Sequence, residues 1–374
     1  MELVALVITL IYVAIIGSFV FGFDKVEEFI LKDIPAKTLF SVIVPFRNEA
    51  RRLPFLLKSI SELNYPKDKF EILFVNDESD DNSVNLIEEF LKRLKNSSRV
   101  IQNNRQTNAP KKDAIATALA QAKHNWIVTT DADCILPKYW LDALDCFIQN
   151  QNVSFIIAPV AYTHGDSFLK RFQALDFLSL QGATIGGFGI RKPFLCNGAN
   201  LAYTRSLFKS VNGFKGNSHI GSGDDIFLLE KAIKDNPYQV GYLKNPFAIV
   251  LTIPESNLKQ LLSQRMRWAA KTSNYSNLFG KLTGIVVLFM NALVITLLMV
   301  TVTGILQPRV LIYTFLIKFC LDFLLLFKTT RFFGQEQLLL SYFFSSILYP
   351  FFSVFVAFAS LFRGYDWKGR TFRS

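Results

Sequence analysis

The chain has 374 residues, a formal net charge of +11 and 51% apolar residues, and the apolar excess is concentrated at its two ends. That length exceeds the roughly 100–200 residues of one domain, and the end-loading excludes a plain soluble globule in favour of a membrane protein carrying a globular insert. Cys134, Cys146, Cys196 and Cys320 show no CxxC spacing and no paired framework, which argues against a disulfide scaffold and a structural zinc site.

Leu3 to Phe23 carries no charge. Leu282 to Pro308 and Gln337 to Phe362 are also uncharged, and Val310 to Phe327 is a further apolar segment. The uncharged runs are long enough for the roughly 20 apolar residues of a bilayer-spanning helix. A cleaved signal peptide is the alternative for the first run, but Glu2 replaces a basic n-region and no Ala-x-Ala-like site is evident. The excess of Lys and Arg could serve nucleic acid, yet it crowds beside the apolar segments, which favours a membrane surface.

From about Lys37 to Tyr275 strand-like apolar runs alternate with helical stretches, the pattern of an α/β domain. Thr38 to Pro45 reads as a buried strand, Glu49 to Leu63 as a helix and Phe70 to Asn76 as a second strand. Ser83 to Leu94 and Lys112 to Ala122 read as helices, and Trp126 to Thr130 as a strand ending in Asp131. Phe168 to Leu180 reads as an amphipathic helix at the membrane surface, with a core helix as the alternative, followed by a Gly-rich turn at Gly182 to Gly189.

Four polar clusters carry chemistry. Val75-Asn76-Asp77 follows a strand, and a carboxylate there can accept the imide N–H of a uracil-like base or, alternatively, cap the next helix. Asp131-Ala132-Asp133 offers two carboxylates on a strand-end loop, where open α/β sheets bind ligands. Such a pair suits Mg²⁺ or Mn²⁺, although solvated loop carboxylates explain most such triplets. Gly223-Asp224-Asp225 puts two carboxylates at a helix start, for helix-dipole stabilisation or for general-base work. Gln264, Arg267 and Trp268 share one face of a helix from Ser256 toward Lys271, where they can offer an amide, a planar cation and an aromatic platform or, alternatively, touch anionic headgroups.

Taken in order, the motifs resemble those of a membrane-embedded family 2 glycosyltransferase of the GT-A fold, with D, DxD, ED-like and Q-x-x-R-W elements over Ser41 to Lys271. The resemblance implies a Rossmann-like α/β domain at 37–275 between an N-terminal anchor at 1–36 and a C-terminal membrane region at 276–374. It implies that Pro45, Arg47 and Glu49 border base and ribose, that Asp77 reads the base, and that Lys112 lies near the diphosphate. Asp131 and Asp133 serve the nucleotide-sugar and its Mg²⁺ or Mn²⁺. Asp225 is the base, with Asp224 where many relatives carry Glu. Gln264, Arg267 and Trp268 clamp diphosphate and acceptor, and Asn197 and Gly198 border the acceptor with Trp268. The implied activity is inverting hexosyl transfer from a nucleotide-diphospho-sugar, with UDP the expected nucleotide. The implied location is a bacterial inner membrane with the domain in the cytosol.

A lipid hydroxyl is the expected acceptor, because three or four helices are few for the channel of a processive polysaccharide synthase, the alternative reading. A non-catalytic scaffold binding anionic lipid is the alternative of another class. No nucleic acid and no obligate protein partner is expected. Lys318 and Asp322 lie four apart within an apolar segment, as a structural ion pair or a headgroup or proton site. Three full C-terminal spans would place Arg363, Lys368, Arg370 and Arg373 outside, against the positive-inside rule. Either Pro350 breaks the last segment into a re-entrant hairpin or the tail is an exception. The Trp367-Lys368-Gly369-Arg370 tail resembles those of lipid-glycosylating relatives, which favours the cytosolic side.

Overall fold

The structure, a computed structural model, describes all residues except 95, 219, 363, 364, 368, 369, 373 and 374. Arg363, Lys368 and Arg373 of the basic tail therefore lie outside the described residues. In chain order the helices are α1 (Glu2–Lys25), α2 (Leu53–Ser61), α3 (Ser83–Leu91), α4 (Pro110–Gln121), α5 (Trp140–Asn150), α6 (Phe168–Gly189), α7 (Arg205–Ser210), α8 (Asp224–Asp235), α9 (Leu258–Ala270), α10 (Leu278–Val302), α11 (Pro308–Phe332) and α12 (Tyr342–Phe362). The strands are β1 (Phe40–Phe46), β2 (Phe70–Asn76), β3 (Arg99–Gln102), β4 (Trp126–Thr129), β5 (Cys134–Ile135), β6 (Phe155–Ile157), β7 (Val160–Tyr162), β8 (Leu201–Thr204), β9 (Val240–Tyr242), β10 (Val250–Thr252), β11 (Tyr365–Trp367) and β12 (Arg370–Phe372).

The chain divides into two compact units. One comprises Glu27–Thr163 and Cys196–Ile253, and its seven-stranded sheet runs in the order β3-β2-β1-β4-β8-β6-β9. The pairs β2/β3, β1/β2 and β1/β4 are parallel, whereas β8 runs antiparallel to β4 and β6. β1 and β2 are near-continuous apolar runs because helices cover both faces of such strands. The polar exceptions are paired: Ser41 Oγ donates to Glu71 Oε1 at 2.7 Å, and Arg99 Nη1 sits 3.0 Å from Glu71 Oε2. A carboxylate that is buried this way without partners would be prohibitively costly. A smaller sheet has the order β5-β10-β7.

The other unit comprises Met1–Val26, His164–Leu195 and the chain from Pro254 onward. The sequence-based boundary at 275 thus separates α6 and α9 from helices with which they pack. Among the described residues, four helices here are long and apolar enough to cross a bilayer, judged by length and composition: Glu2–Lys25, Leu278–Val302, Pro308–Phe332 and Glu336–Phe362. Pro350 lies inside the continuous helix α12, so it does not open a re-entrant hairpin.

Two expectations for 168–189 are corrected. The segment is one helix through Gly189, with no turn at Gly182, and residues 172–178 and 181–187 are buried around it rather than along one stripe. The glycines serve helix approach: a Cβ on Gly186 would stand 2.5 Å from the Phe19 carbonyl oxygen, and one on Gly189 would collide with that of Gly22. Small residues let apolar helices meet backbone to backbone, so a glycine run that resembles a turn is a packing face.

Candidate active site

Within the α/β unit, the parallel strands β1, β2 and β4 end at one edge, and the loops that follow carry the acidic motifs. Pro45 is a strand residue opposite Val75 in β2. The next loop and the loop after β2 fasten each other. Asp77 N donates to Phe46 O, Arg47 Nη1 donates to the carbonyls of Asp77 and Glu78 at 2.8 and 2.9 Å, and Glu49 N donates to Ser83 Oγ. Asn48 and Glu78 hold positive φ values of 53° and 56°, a conformation that non-glycine residues rarely adopt outside functional loops.

Asp77 is buried and does not cap α3, whose first residue is six positions later. Its Oδ1 accepts from Asn103 Nδ2 at 2.7 Å and from Arg105 Nε at 2.6 Å. Neither Asn103 nor Arg105 stood out in the sequence, since both lie in the polar loop after β3. Asn76 is used internally: its Oδ1 accepts from Ser79 N and its Nδ2 donates to Gln102. Asp81 shows a similar balance, since partial burial pushes its carboxyl up but Ser83 and backbone N–H donors outweigh that and hold it below the usual range.

Two further acidic motifs meet at Lys111. Its Nζ lies 2.7 Å from Asp131 Oδ1 and 3.5 Å from Asp224 Oδ2. Burial alone would lower the pKa of this ammonium, but Asp131 and Asp224 outweigh it and raise the pKa well above the ordinary value. Lys111 therefore stays charged. Asp225 Oδ2 accepts from Gly198 N at 3.1 Å, and its Oδ1 accepts from Ile226 N at 2.8 Å. Gly198 O in turn accepts from Thr129 Oγ1 at 2.9 Å, which ties the end of β4 to the start of α8 through one glycine. Asn197 stabilises the same turn by accepting from Ala199 N. Gly223, with φ of 81°, precedes α8 and lets the chain turn so that both aspartates occupy the first helical turn.

Lys112, expected near the diphosphate, has contacts distinct from those of Lys111. Its ammonium donates to the carbonyls of Asn217 and Ile220 at 2.7 and 2.9 Å and lies 4.9 Å from the Phe227 ring centroid. One step along an α-helix turns a side chain by about 100°, so adjacent lysines face different neighbours. Lys111 is the one at the carboxylates. Asp133 has a cationic partner of its own, Arg52 Nη1 at 3.1 Å, from the turn before α2. The thiol of Cys134 is pushed up by burial and then by Asp133 and Asp131, which leaves it a poor nucleophile.

For a divalent cation the donor chemistry fits. Asp131 and Asp133 are hard oxygen donors with 37% and 21% of their side chains exposed, and Mg²⁺ is commonly held by one or two carboxylates plus phosphate oxygens. Among the described residues no group of three or more His, Cys, Asp or Glu side chains could hold a metal alone. The pair would rely on a ligand's oxygens.

A Cβ at Gly198 would stand 3.0 Å from Asp224 Oδ2 and 3.5 Å from Asp225 Cβ. Gly198→Ala is therefore expected to shift this turn and lower turnover by about tenfold or more, in line with the sensitivity of reacting groups to small misplacements. Unchanged turnover in a steady-state assay would show that the turn tolerates the methyl.

The other unit carries α9. Gln264 Nε2 donates to Glu255 Oε1 at 3.0 Å. Arg267 and Trp268 are half-buried, and the Trp268 ring lies 6.0 Å from that of Phe177. Sequence reasoning missed Arg265, which is buried and places Nε 2.6 Å from Asp176 Oδ2, with its guanidinium 4.2 Å from the Trp268 centroid. Arg265 Nη1 also donates to Gln264 Oε1, so it orients both ends of the Gln264 to Trp268 face. Removing one partner of a buried pair strands the other charge. Arg265→Ala should thus destabilise the protein by about 3–5 kcal/mol, read as a lowered thermal midpoint in detergent.

Comparison with known proteins gives these features a context. Residues 41–211 match the model of the family described as glycosyl transferase family 2. The chain is 23% identical over 194 residues to glycosyltransferase AglE of Haloferax volcanii, covering 51% of this chain and 60% of that protein. It is 25% identical over 267 residues to the poly-β-1,6-N-acetyl-D-glucosamine synthase of Staphylococcus aureus, covering 68% of this chain and 61% of that protein. The chain spans less than two thirds of the length of either relative. Among solved structures, mannosyltransferase PcManGT from Pyrobaculum calidifontis, in complex with GDP-Man and Mn²⁺, superposes with a TM-score of 0.53 at 16% identity, covering 92% of this chain and 98% of that one. The shared fold is the GT-A-like α/β fold with a mixed sheet. This chain carries a glycosyl transferase family 2 domain over residues 41–211.

Proposed function

We propose that the chain is an inverting glycosyltransferase that moves a hexosyl group from a nucleotide-diphospho-sugar, UDP-linked, to a hydroxyl of a membrane lipid at the cytosolic bilayer surface. The observation that carries this reading is the convergence on Lys111 and Gly198 of the Asp131 and the Asp224-Asp225 motifs. Carboxylates more than 90 residues apart in sequence are brought together within the α/β unit, at the edge where its parallel strands end.

In this reading Asp77, fixed by Asn103 and Arg105, accepts from the base, while Pro45, Arg47 and Glu49 border base and ribose. Lys111 and Arg52 bring positive charge to the strand ends, where a diphosphate needs it. Asp225 takes the proton of the acceptor hydroxyl as its oxygen bonds to the anomeric carbon. The bond from that carbon to the diphosphate oxygen breaks, the nucleoside diphosphate leaves with the electron pair, and the configuration inverts. Asp131 and Asp133 would hold Mg²⁺ or Mn²⁺, which when bound supplies Lewis-acid stabilisation of the leaving group. Gln264, Arg267 and Trp268 are assigned to diphosphate and acceptor on the motif resemblance.

A processive polysaccharide synthase is the second reading, favoured by the likeness to the poly-β-1,6-N-acetyl-D-glucosamine synthase. Product size separates the two: one sugar per lipid or a polymer. A scaffold that only binds anionic lipid is separated by calorimetry. Titration of the purified chain with UDP should give heat in Mn²⁺ that falls at least tenfold in chelator, and metal-independent silence would sink the enzyme reading.

A further inference from the structure

The unit built from the apolar helices contains a cavity of about 270 Å³. Its walls are apolar, with Ile16 of α1, Phe172 and Ala183 of α6, Val287 of α10 and Leu325 of α11 among them. Its polar lining is sparse but built. Lys318 and Asp322 of α11 line it with Tyr12 of α1, Thr283 of α10 and Ser345 of α12.

Lys318 is only 3% exposed, and its Nζ donates to Asp322 Oδ2 at 2.5 Å. Tyr12 donates its hydroxyl to Asp322 Oδ1 at 2.5 Å, so both carboxylate oxygens are engaged. The ammonium has three N–H donors, and beyond Asp322 it meets the ring faces of Tyr12 and Tyr349, at 5.8 and 5.6 Å from their centroids. Ser345 Oγ and Thr283 Oγ1 are buried and hydrogen-bond to no described residue. Polar groups in an apolar setting are costly unless paired. A purely structural ion pair would leave no reason for an adjoining cavity lined by two hydroxyls that lack partners.

The walls suit methylenes. The polar floor suits an uncharged group with acceptor oxygens, because Lys318 and Asp322 balance each other, Asp176 on the lining is paired with Arg265, and a further full charge would be uncompensated. The volume lies just below the roughly 300 Å³ at which small-molecule sites begin, enough for part of one chain and not for a whole lipid. We propose that this cavity is a binding site for one acyl chain of a neutral membrane lipid, with the ester or amide carbonyl accepting from Lys318 and from the Ser345 or Thr283 hydroxyl. The inference rests on α1, α10, α11 and α12 lying in a bilayer, and it stands whichever molecule accepts the sugar.

The test uses the full chain in phosphatidylcholine vesicles with a diacylglycerol probe carrying a diazirine in one acyl chain. Labelling should be saturable, competed by unlabelled diacylglycerol, and concentrated in peptides containing Thr283 to Val287 and Lys318 to Leu326. Ala183→Trp, which fills the cavity, and Lys318→Met should each lower it about tenfold. Labelling confined to outward positions such as Phe289 and Ile312, uncompeted and unchanged in both variants, would overturn the proposal. Should Ala183→Trp fail to fold, Ser345→Leu narrows the same cavity from α12. UDP heat measured on the same preparations separates the two ideas: kept heat with absent labelling overturns the cavity alone, and absent heat with competed labelling overturns only the transferase reading.

Discussion

Asp225→Asn is expected to lower sugar transfer by roughly 10²–10⁴-fold, the range for loss of a general base. Nucleotide affinity should stay within about threefold, because Asp225 touches the Gly198 and Ile226 amides and has no assigned part in holding the nucleotide. The amide keeps one acceptor oxygen of the two. It can therefore hold either Gly198 N or Ile226 N, and loss of the other hydrogen bond costs about 0.5–1.5 kcal/mol of stability. That is small beside a lost proton acceptor. A single-turnover assay beside a UDP titration separates the effects. Full transfer in a folded variant would remove Asp225 from the chemistry.

Lys111→Met and Lys112→Met should part company. The first leaves Asp131 and Asp224 facing each other without the ammonium now 2.7 and 3.5 Å from them. Turnover should fall by about 10²–10³-fold, the range for removal of one preorganised charge-stabilising group. The second loses hydrogen bonds from a charged donor to Asn217 and Ile220, each worth about 1.5–3 kcal/mol. Lys112→Met should thus unfold at lower temperature while its folded fraction keeps turnover within about threefold. Lys111→Arg should recover part of the activity, since a cation is restored with altered reach. Full turnover in Lys111→Met and a catalytic defect in Lys112→Met would reverse the assignment.

Much of this site was legible in the sequence because strand ends and acidic motifs coincide. Phe70 to Asn76 is a strand with the bounds its apolar run suggests, and Asp77 follows it directly. Helix phase was less legible. Lys111 and Lys112, like Arg265 and Arg267, differ by a rotation that only packing fixes: Lys111 pairs with Asp131, and Arg265 pairs with Asp176. Partners supplied by loops were hidden for another reason: Arg52, Asn103 and Arg105 belong to irregular segments with no period to read. The glycines of α6 show how one composition serves two structures. Gly182 to Gly189 has the content of a turn, yet at Gly186 and Gly189 the backbone of α1 comes so close that only glycine fits. Acceptor identity is not written in any motif, because hydroxyl-reading contacts come from separated segments.

Transfer from a nucleotide-sugar by the site around Lys111, Gly198 and Asp225 is open to a product assay. The most direct measurement incubates membranes containing the chain with a panel of isotopically labelled nucleotide-sugars and Mn²⁺, then reads lipid and polymer fractions by mass spectrometry. One labelled hexosyl unit on a lipid is expected, absent in membranes carrying Asp225→Asn. No labelled product from any donor, or equal product from Asp225→Asn, would contradict it.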